Sequence, residues 1–274
     1  MRTLSAADLS LNTATVSKQW TLEECIEGCV RHGIGGISPW RDKLQECGVD
    51  RAAKLIRDAG LGVSGLCRGG WYTAEGALTQ KVIDDNKRAV DEAAAIGAEC
   101  LVMVVGGLPE GSKDIVAARD IVTEGLGKTL DYARTVGVKI GIEPLHPMYA
   151  ADRACVNTTG QALDICDQLG DGIGVALDVY HIWWDPAIAA QIKRAGKDRL
   201  LAFHVCDWMN PTQDMLTDRG MMGDGVIDIP AFRQMVEAEG FDGLVEVEIF
   251  SAENWWTKPA DDVLSAMKSA LPVI

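Results

Sequence analysis

The chain has 274 residues, 47% hydrophobic and 24% charged, which is enough apolar material for one large core. Forty acidic side chains against 26 Lys and Arg give a formal net charge of −14, a balance that argues against a nucleic-acid partner because phosphate neutralisation needs a basic face. No apolar run reaches the roughly 20 residues of a membrane helix, and the opening residues Met1-Arg2-Thr3-Leu4-Ser5 carry no signal-peptide core, so the expectation is a cytoplasmic protein with no membrane partner.

In chain order, short apolar runs at 9–16, 34–38, 62–67, 100–105, 138–143, 173–178, 200–205 and 244–249 predict strands. Amphipathic stretches at 21–32, 49–59, 78–97, 114–136, 159–169, 187–195, 230–239 and 259–271 predict helices between them. Thr21 with Glu24, Thr159, Pro230 and Pro259 read as helix starts. Gly33, Gly60, Gly97, Gly137, Gly170 and Gly240 read as left-handed helix stops. The eight cysteines, at 25, 29, 47, 67, 100, 155, 166 and 206, include no CxxC pair and are expected to be reduced thiols in a core that needs no disulfide.

Eight strands alternating with eight helices in 274 residues give about 34 residues per unit, the size of a βα repeat. Strict alternation predicts a parallel sheet, and eight units predict closure into a single-domain (β/α)8 TIM barrel over residues 1–274. An open doubly wound sheet would carry a glycine-rich fingerprint after its first strand, and residues 9–20 hold no GxGxxG.

Barrel active sites form at the carboxyl ends of the strands. The fifth predicted strand ends at Glu143, the sixth at Asp178, the seventh at His204 and the eighth near Glu248. Parity places Asp178 on the side of Ala176 and Gly174, and His204 on the side of Ala202, with Val175, Leu177, Leu201 and Phe203 facing the helices. Three carboxylates and an imidazole suit a divalent metal ion, Mn2+ first, with Mg2+, Co2+ or Zn2+ also accommodated. Glu246 shares the parity of Glu248. Glu248 is preferred as the ligand because it lies nearer the strand end, which leaves Glu246 deeper and paired with Lys139.

The segments Gly141-Ile142-Glu143-Pro144-Leu145-His146-Pro147, Ala176-Leu177-Asp178-Val179-Tyr180-His181, Phe203-His204-Val205-Cys206-Asp207 and Val247-Glu248-Ile249-Phe250 carry a resemblance. So do Arg219 to Gly225 and the following Val226-Ile227-Asp228. On these residues the chain resembles the xylose-isomerase-like barrel superfamily, also called sugar phosphate isomerases/epimerases, which includes ketose 3-epimerases, inosose dehydratase and endonuclease IV. The resemblance implies that Glu143, Asp178, His204 and Glu248 hold the metal, and that His181 and Arg219 contact substrate. It departs from the ketose epimerases after the fifth strand, where this chain has His146 and Tyr149, and from endonuclease IV, which needs more histidines than His32, His146, His181 and His204.

The chemistry expected of such a site is isomerisation or epimerisation through an enediolate, with Glu143 and Glu248 as base and acid. If His146 is a further base, elimination becomes the alternative: an inosose-type dehydratase or a keto-C-glycoside deglycosidase subunit, since such subunits also resemble this superfamily. A catalytically silent sugar-binding barrel, or one subunit of a larger enzyme, is the non-enzymatic reading. The eight tryptophans all follow predicted strands, so Trp71 and Trp183 are assigned as sugar-stacking residues, together with Arg68. Basic groups near these loops are limited to Arg41, Arg68, Arg153 and Arg219, and no GxxxxGK[ST] loop exists, so the expected substrate is a small neutral keto-sugar, cyclitol or glycoside. A tryptophan-rich rim further predicts a homodimer or tetramer.

Overall fold

The computed structural model describes residues 1–74 and 76–274. Nine parallel strands form one sheet that closes, nearly completely, into a barrel: β1 (Leu9–Asn12), β2 (Gly36–Ser38), β3 (Gly62–Val63), β4 (Leu66–Gly70), β5 (Leu101–Val104), β6 (Ile140–Ile142), β7 (Ile173–Asp178), β8 (Leu200–Val205) and, last in the chain, β11 (Val245–Val247). Eight staves were expected, and the ninth strand arises because the third stave is split. Its first half, β3, pairs with β2, and its second half, β4, pairs with β5, while a bridge between Trp40 and Cys67 carries pairing across the break. At the other side β11 pairs with both β1 and β8.

Among the described residues ten helices surround the barrel: α1 (Leu22–His32), α2 (Arg41–Cys47), α3 (Val49–Ala59), α4 (Gln80–Ile96), α5 (Ile115–Val136), α6 (Thr159–Leu169), α7 (Val179–Ile182), α8 (Ile188–Arg199), α9 (Ile229–Ala238) and α10 (Ala260–Ser269). None is long and apolar enough to cross a membrane. Thr21 and Glu24 form the expected capping box on α1. On α6 the cap is Thr158 with Gln161, one residue before the expected Thr159. Pro230 lies inside the first turn of α9, which Asp228 caps, and Pro259 is the N-cap of α10. Gly33, Gly60, Gly97 and Gly137 end their helices in the left-handed conformation, whereas Gly170 adopts a different positive-φ conformation (φ 86°, ψ −142°) and Gly240 follows Glu239, which caps α9. Two elements had no sequence signal. Helix α2 buries only Leu44, so it shows no apolar period. The antiparallel ribbon of β9 (Asp207–Trp208) and β10 (Arg219–Gly220) consists of two-residue strands.

Strand alternation divides the core into two shells. Leu9, Leu11, Val175, Leu177, Phe203, Val205, Val245 and Val247 pack outward against the helices, while Cys67, Cys100, Val102, Ala176 and Ala202 form a small-residue plug inside the barrel. Leu201 departs from the expected outward position. A register shift opposite Val175 and Ala176 puts Leu200 in the outer shell and packs Leu201 against the inner plug. All eight cysteines are free, and all but Cys47 are buried.

Gly174 on β7 is required by a close approach, since a Cβ there would run into the carbonyl oxygen of Arg199 and the Leu201 side chain. Because β7 delivers Asp178 to the barrel mouth, Gly174→Ala should force the strand off its neighbour and destabilise the fold by about 1–3 kcal/mol. A thermal melt should therefore show a midpoint lower by several degrees; an unchanged midpoint would show that β7 and β8 separate freely.

Candidate metal centre

The expected polar strand ends converge. Glu143, Asp178, His204 and Glu248 each offer one ligand atom, these atoms all lie within 4.8 Å of one another, and all four residues are buried. His204 is central. Its Nδ1 lies 3.3 Å from Glu143 Oε1 and 3.7 Å from Glu248 Oε2, and its Nε2 lies 3.4 Å from Glu246 Oε1.

The two glutamates of β11 and the residue just beyond it thus lie on opposite sides of one ring. Glu248 is on the side of the other carboxylates, and Glu246 is behind. The expected Glu246–Lys139 pair does not form. Glu246 accepts hydrogen bonds from Asn12 Nδ2 (2.7 Å) and Ser64 Oγ (2.7 Å), and Lys139 lines a cavity at the opposite mouth with Arg2, Glu99 and Lys197. Asn12 Nδ2 also donates to Glu248 (2.9 Å), while its Oδ1 accepts from the Trp40 indole N–H (2.9 Å). Asn12, Ser64 and Ser10 are site residues that the sequence reading missed. The parity rule applied to the first strand, Leu9-Ser10-Leu11-Asn12, would have found two of them.

Arg219, on β10, reaches into the cluster instead of standing in the open mouth. Its Nη1 donates to Asp178 Oδ2 (2.8 Å) and lies 3.4 Å from Glu248 Oε2, while its guanidinium stacks between Tyr180 (4.3 Å) and Phe250 (5.0 Å). The turn that follows is held by Asp207, which accepts from the backbone N–H groups of Trp208, Gly223 and Ile227. His181 Nε2 lies 3.3 Å from Arg219 Nη2. A guanidinium can only donate, so Nε2 accepts and the His181 proton sits on Nδ1, a buried atom with no partner. Burial, with Arg219 and two further histidines adding to it against the pull of Asp178, drives the His181 pKa down to about 3, so the ring is neutral.

The donor set fits a divalent cation. Glu143 Oε1 and His204 Nδ1 face each other without an aligned hydrogen bond, and both are buried without a partner. Burial raises the Glu143 pKa, with repulsion from Glu248 adding to it. The His204 pKa is raised although burial opposes it, because Glu246, Glu143 and Glu248 surround the ring. Glu248 is held below the usual carboxylate range, burial being outweighed by His204 and Arg219. Protons on Glu143 and His204 supply positive charge that a dication would replace. Three oxygens and one imidazole nitrogen suit Mn2+, Mg2+, Co2+ or Zn2+.

The remaining predicted site residues form two walls. Trp183, Trp184, Trp208, Tyr180 and His146 make an aromatic group, with His146 stacked on Trp208 (5.2 Å) and edge-on to Trp184 (5.7 Å). His146 Nδ1 accepts from the Met148 N–H (3.3 Å), and burial lowers its pKa. Trp71 and Arg68 lie across the mouth against Trp40. Trp20 takes no part, since it packs on Gly28 of α1 beneath Arg31. Trp255 is buried and the other seven tryptophans are half-buried.

A family model described as xylose isomerase-like TIM barrel matches residues 26–270. An inosose isomerase of Bacillus licheniformis is 25% identical over 286 aligned residues, covering 97% of this chain and 97% of that protein. The crystal structure of protein SMc04130 from Sinorhizobium meliloti 1021 is 56% identical, with a TM-score of 0.95 over 98% of both chains. A crystal structure of IOLI protein with a bound zinc atom is 22% identical, with a TM-score of 0.81 over 96% of this chain and 95% of that one, a likeness of fold.

The two sides of His204 give opposite expectations for its neighbouring glutamates. Glu248→Ala should abolish stoichiometric metal content, measured by elemental analysis after dialysis. Glu246→Gln should keep the metal but weaken its binding by roughly 10–100-fold, the usual consequence of losing the group that orients a ligating imidazole. Metal loss in Glu246→Gln with retention in Glu248→Ala would reverse the assignment.

Proposed function

The chain belongs to the xylose isomerase-like TIM barrel family, and from that footing we propose that it is a divalent-metal-dependent isomerase or epimerase of a small polyhydroxylated ketone of the inosose kind. The observation that carries this reading is the buried convergence of Glu143, Asp178, His204 and Glu248 at the carboxyl end of the barrel. Full-length similarity to an inosose isomerase supports the substrate class, and the zinc bound by the IOLI protein supports a divalent metal in this fold. Mn2+ is our first assignment for these donors.

A dication held by these four residues would polarise a ketone and offset the negative charge left when the adjacent C–H bond is broken. The protein's own groups handle the protons. Glu248, ionised and held by Asn12 and Arg219, accepts the proton from the carbon beside the carbonyl. Glu143, across His204 Nδ1 from Glu248, returns one. Delivery to the former carbonyl carbon, with a proton moving between the two oxygens, shifts the ketone by one position; delivery to the opposite face of the original carbon inverts it. Two carboxylates with pKa values pushed apart can divide such work. In this reading His181, neutral with a partnerless proton on Nδ1, donates to a substrate oxygen.

His146 lies outside this proton traffic. With its Nδ1 accepting from backbone, the neutral ring carries its proton on Nε2 and is a donor there, not a base. Elimination with His146 as base therefore has no support from this arrangement.

Incubation of an inosose with metal-loaded protein in deuterium oxide should place deuterium on a ring carbon without loss of water; release of water would instead establish a dehydratase. His146→Gln, with metal content checked, should lower kcat by less than about tenfold and leave the pH–rate profile unchanged. A fall of roughly a hundredfold or more, with the loss of one limb of that profile, would restore the lyase mechanism.

A further inference from the structure

Beside the metal centre lies a cavity of about 440 Å³ whose lining includes Trp40, Arg68, Trp71 and the first turns of α4. Its chemistry differs from that of the centre. The Arg68 guanidinium is held between two indole rings, 4.6 Å from the Trp71 centroid and 5.8 Å from that of Trp40. Every other arginine that is buried or half-buried has an ion pair or hydrogen bond among the described residues; Arg41, in the same cavity, is neutralised by Asp85 and Glu92. Arg68 has neither. Lys81 has its own partner, and Asp42 is exposed at the rim, where water screens its charge. The Trp71 indole N–H is likewise buried without an acceptor.

This donor-rich wall is built rather than incidental. Trp71 has φ of 55°, the left-handed region that bulky side chains avoid. The turn is pinned there because buried Asn86 binds both the N–H and the carbonyl of Gly70. The cavity is also tied to the metal centre, since Trp40 donates to Asn12 and Asn12 donates to Glu248. A molecule reacting at the centre and extending past Trp40 would meet Arg68.

We propose that the substrate carries a carboxylate distal to its reacting carbons, and that Arg68 binds it while Trp40 and Trp71 hold the guanidinium plane. This rests on the isomerase reading and narrows its substrate class, replacing the expected neutral sugar with an acidic one. One unpaired planar guanidinium matches one planar monoanion, and indole stacking on its faces leaves the edge free for the two parallel hydrogen bonds a carboxylate accepts. A phosphate dianion would call for further unpaired cations, and Arg41, Lys81 and Arg153 are each engaged elsewhere. Burial lowers the Arg68 pKa, with Arg153 and Arg41 adding to it against the pull of Cys67 and Glu143.

The test is calorimetric titration of the metal-loaded full chain with D-glucose, D-glucuronate and D-glucose 6-phosphate. Glucuronate should bind roughly 10–100-fold more tightly than glucose, the range of a charge-assisted contact. Arg68→Gln should erase that preference, and Arg68→Lys should keep only part of it. Equal affinities, no binding of glucuronate, tighter binding of the phosphate ester, or equal loss for all three sugars in Arg68→Gln would each overturn the assignment. Solvent deuterium exchange on an inosose separates this outcome from the parent reading. Exchange without a carboxylate preference removes the Arg68 site alone, and a preference without exchange on any of these compounds removes the isomerase.

Discussion

Repulsion among carboxylates at the carboxyl end of the barrel is the constraint around which this molecule is organised. Glu143, Asp178 and Glu248 offer ligand atoms within 4.8 Å of one another, and Glu246 stands just behind His204. At an effective dielectric constant near 20, two unit charges that far apart repel by about 3–4 kcal/mol. Several such pairs would exceed the margin by which an ordinary domain is folded. The cluster survives because cationic and donor groups thread it: His204 between the glutamates, Arg219 on Asp178, and Asn12 and Ser64 beneath. Without a dication, protons gathered on Glu143 and His204 make up part of the deficit. The same imbalance gives the site its affinity for a divalent ion.

Much of the surrounding structure exists to hold those compensating groups. Arg219 could not stay in a buried, carboxylate-lined position on a free loop. The β9–β10 ribbon, the three backbone contacts to Asp207, and the Tyr180 and Phe250 rings fix it instead. Gly225 belongs to the same device, since a Cβ there would meet the Trp208 carbonyl. The Arg219–Gly225 sequence is therefore a means of presenting one cation to a barrel interior. His181 follows from it: Arg219 sets the tautomer, and the tautomer leaves a buried Nδ1–H without a partner.

How legible all this was depends on the range of the forces involved. Strand positions follow from local apolar runs, and the four converging side chains follow from parity at strand ends, so both were readable. The partner of Glu246 was not. Its depth below the strand end favoured Lys139, but Lys139 lines the far mouth and closure of the barrel brings Asn12 from the first stave to the last. Leu201 was misplaced for a similar reason, because the register shift between β7 and β8 is a property of the pair and not of either strand. Helix α2 escaped because one buried leucine makes no period. What failed was long-range pairing.

The two sides of the barrel mouth carry opposite charge characters, and Trp40 is where they meet. Its indole N–H binds Asn12 and so helps fix the amide that steadies Glu248 and Glu246, while one face of its ring lies against Arg68 and its edge meets Phe250, which in turn stacks on Arg219. Two guanidinium groups are thus positioned through one aromatic chain, one engaged with carboxylates of the protein and the other left without a partner. In a chain with a net charge of −14, an unpartnered arginine beside an acidic centre is easily neutralised by one acidic substitution. None of the acids lining that cavity reaches it: Asp85 is committed to Arg41 and Arg88, and Asp42 sits exposed at the rim. The arrangement separates a negative site that takes a cation from a positive site that takes an anion, with one ring as the wall between them. A ligand spanning both must itself be polarised end to end.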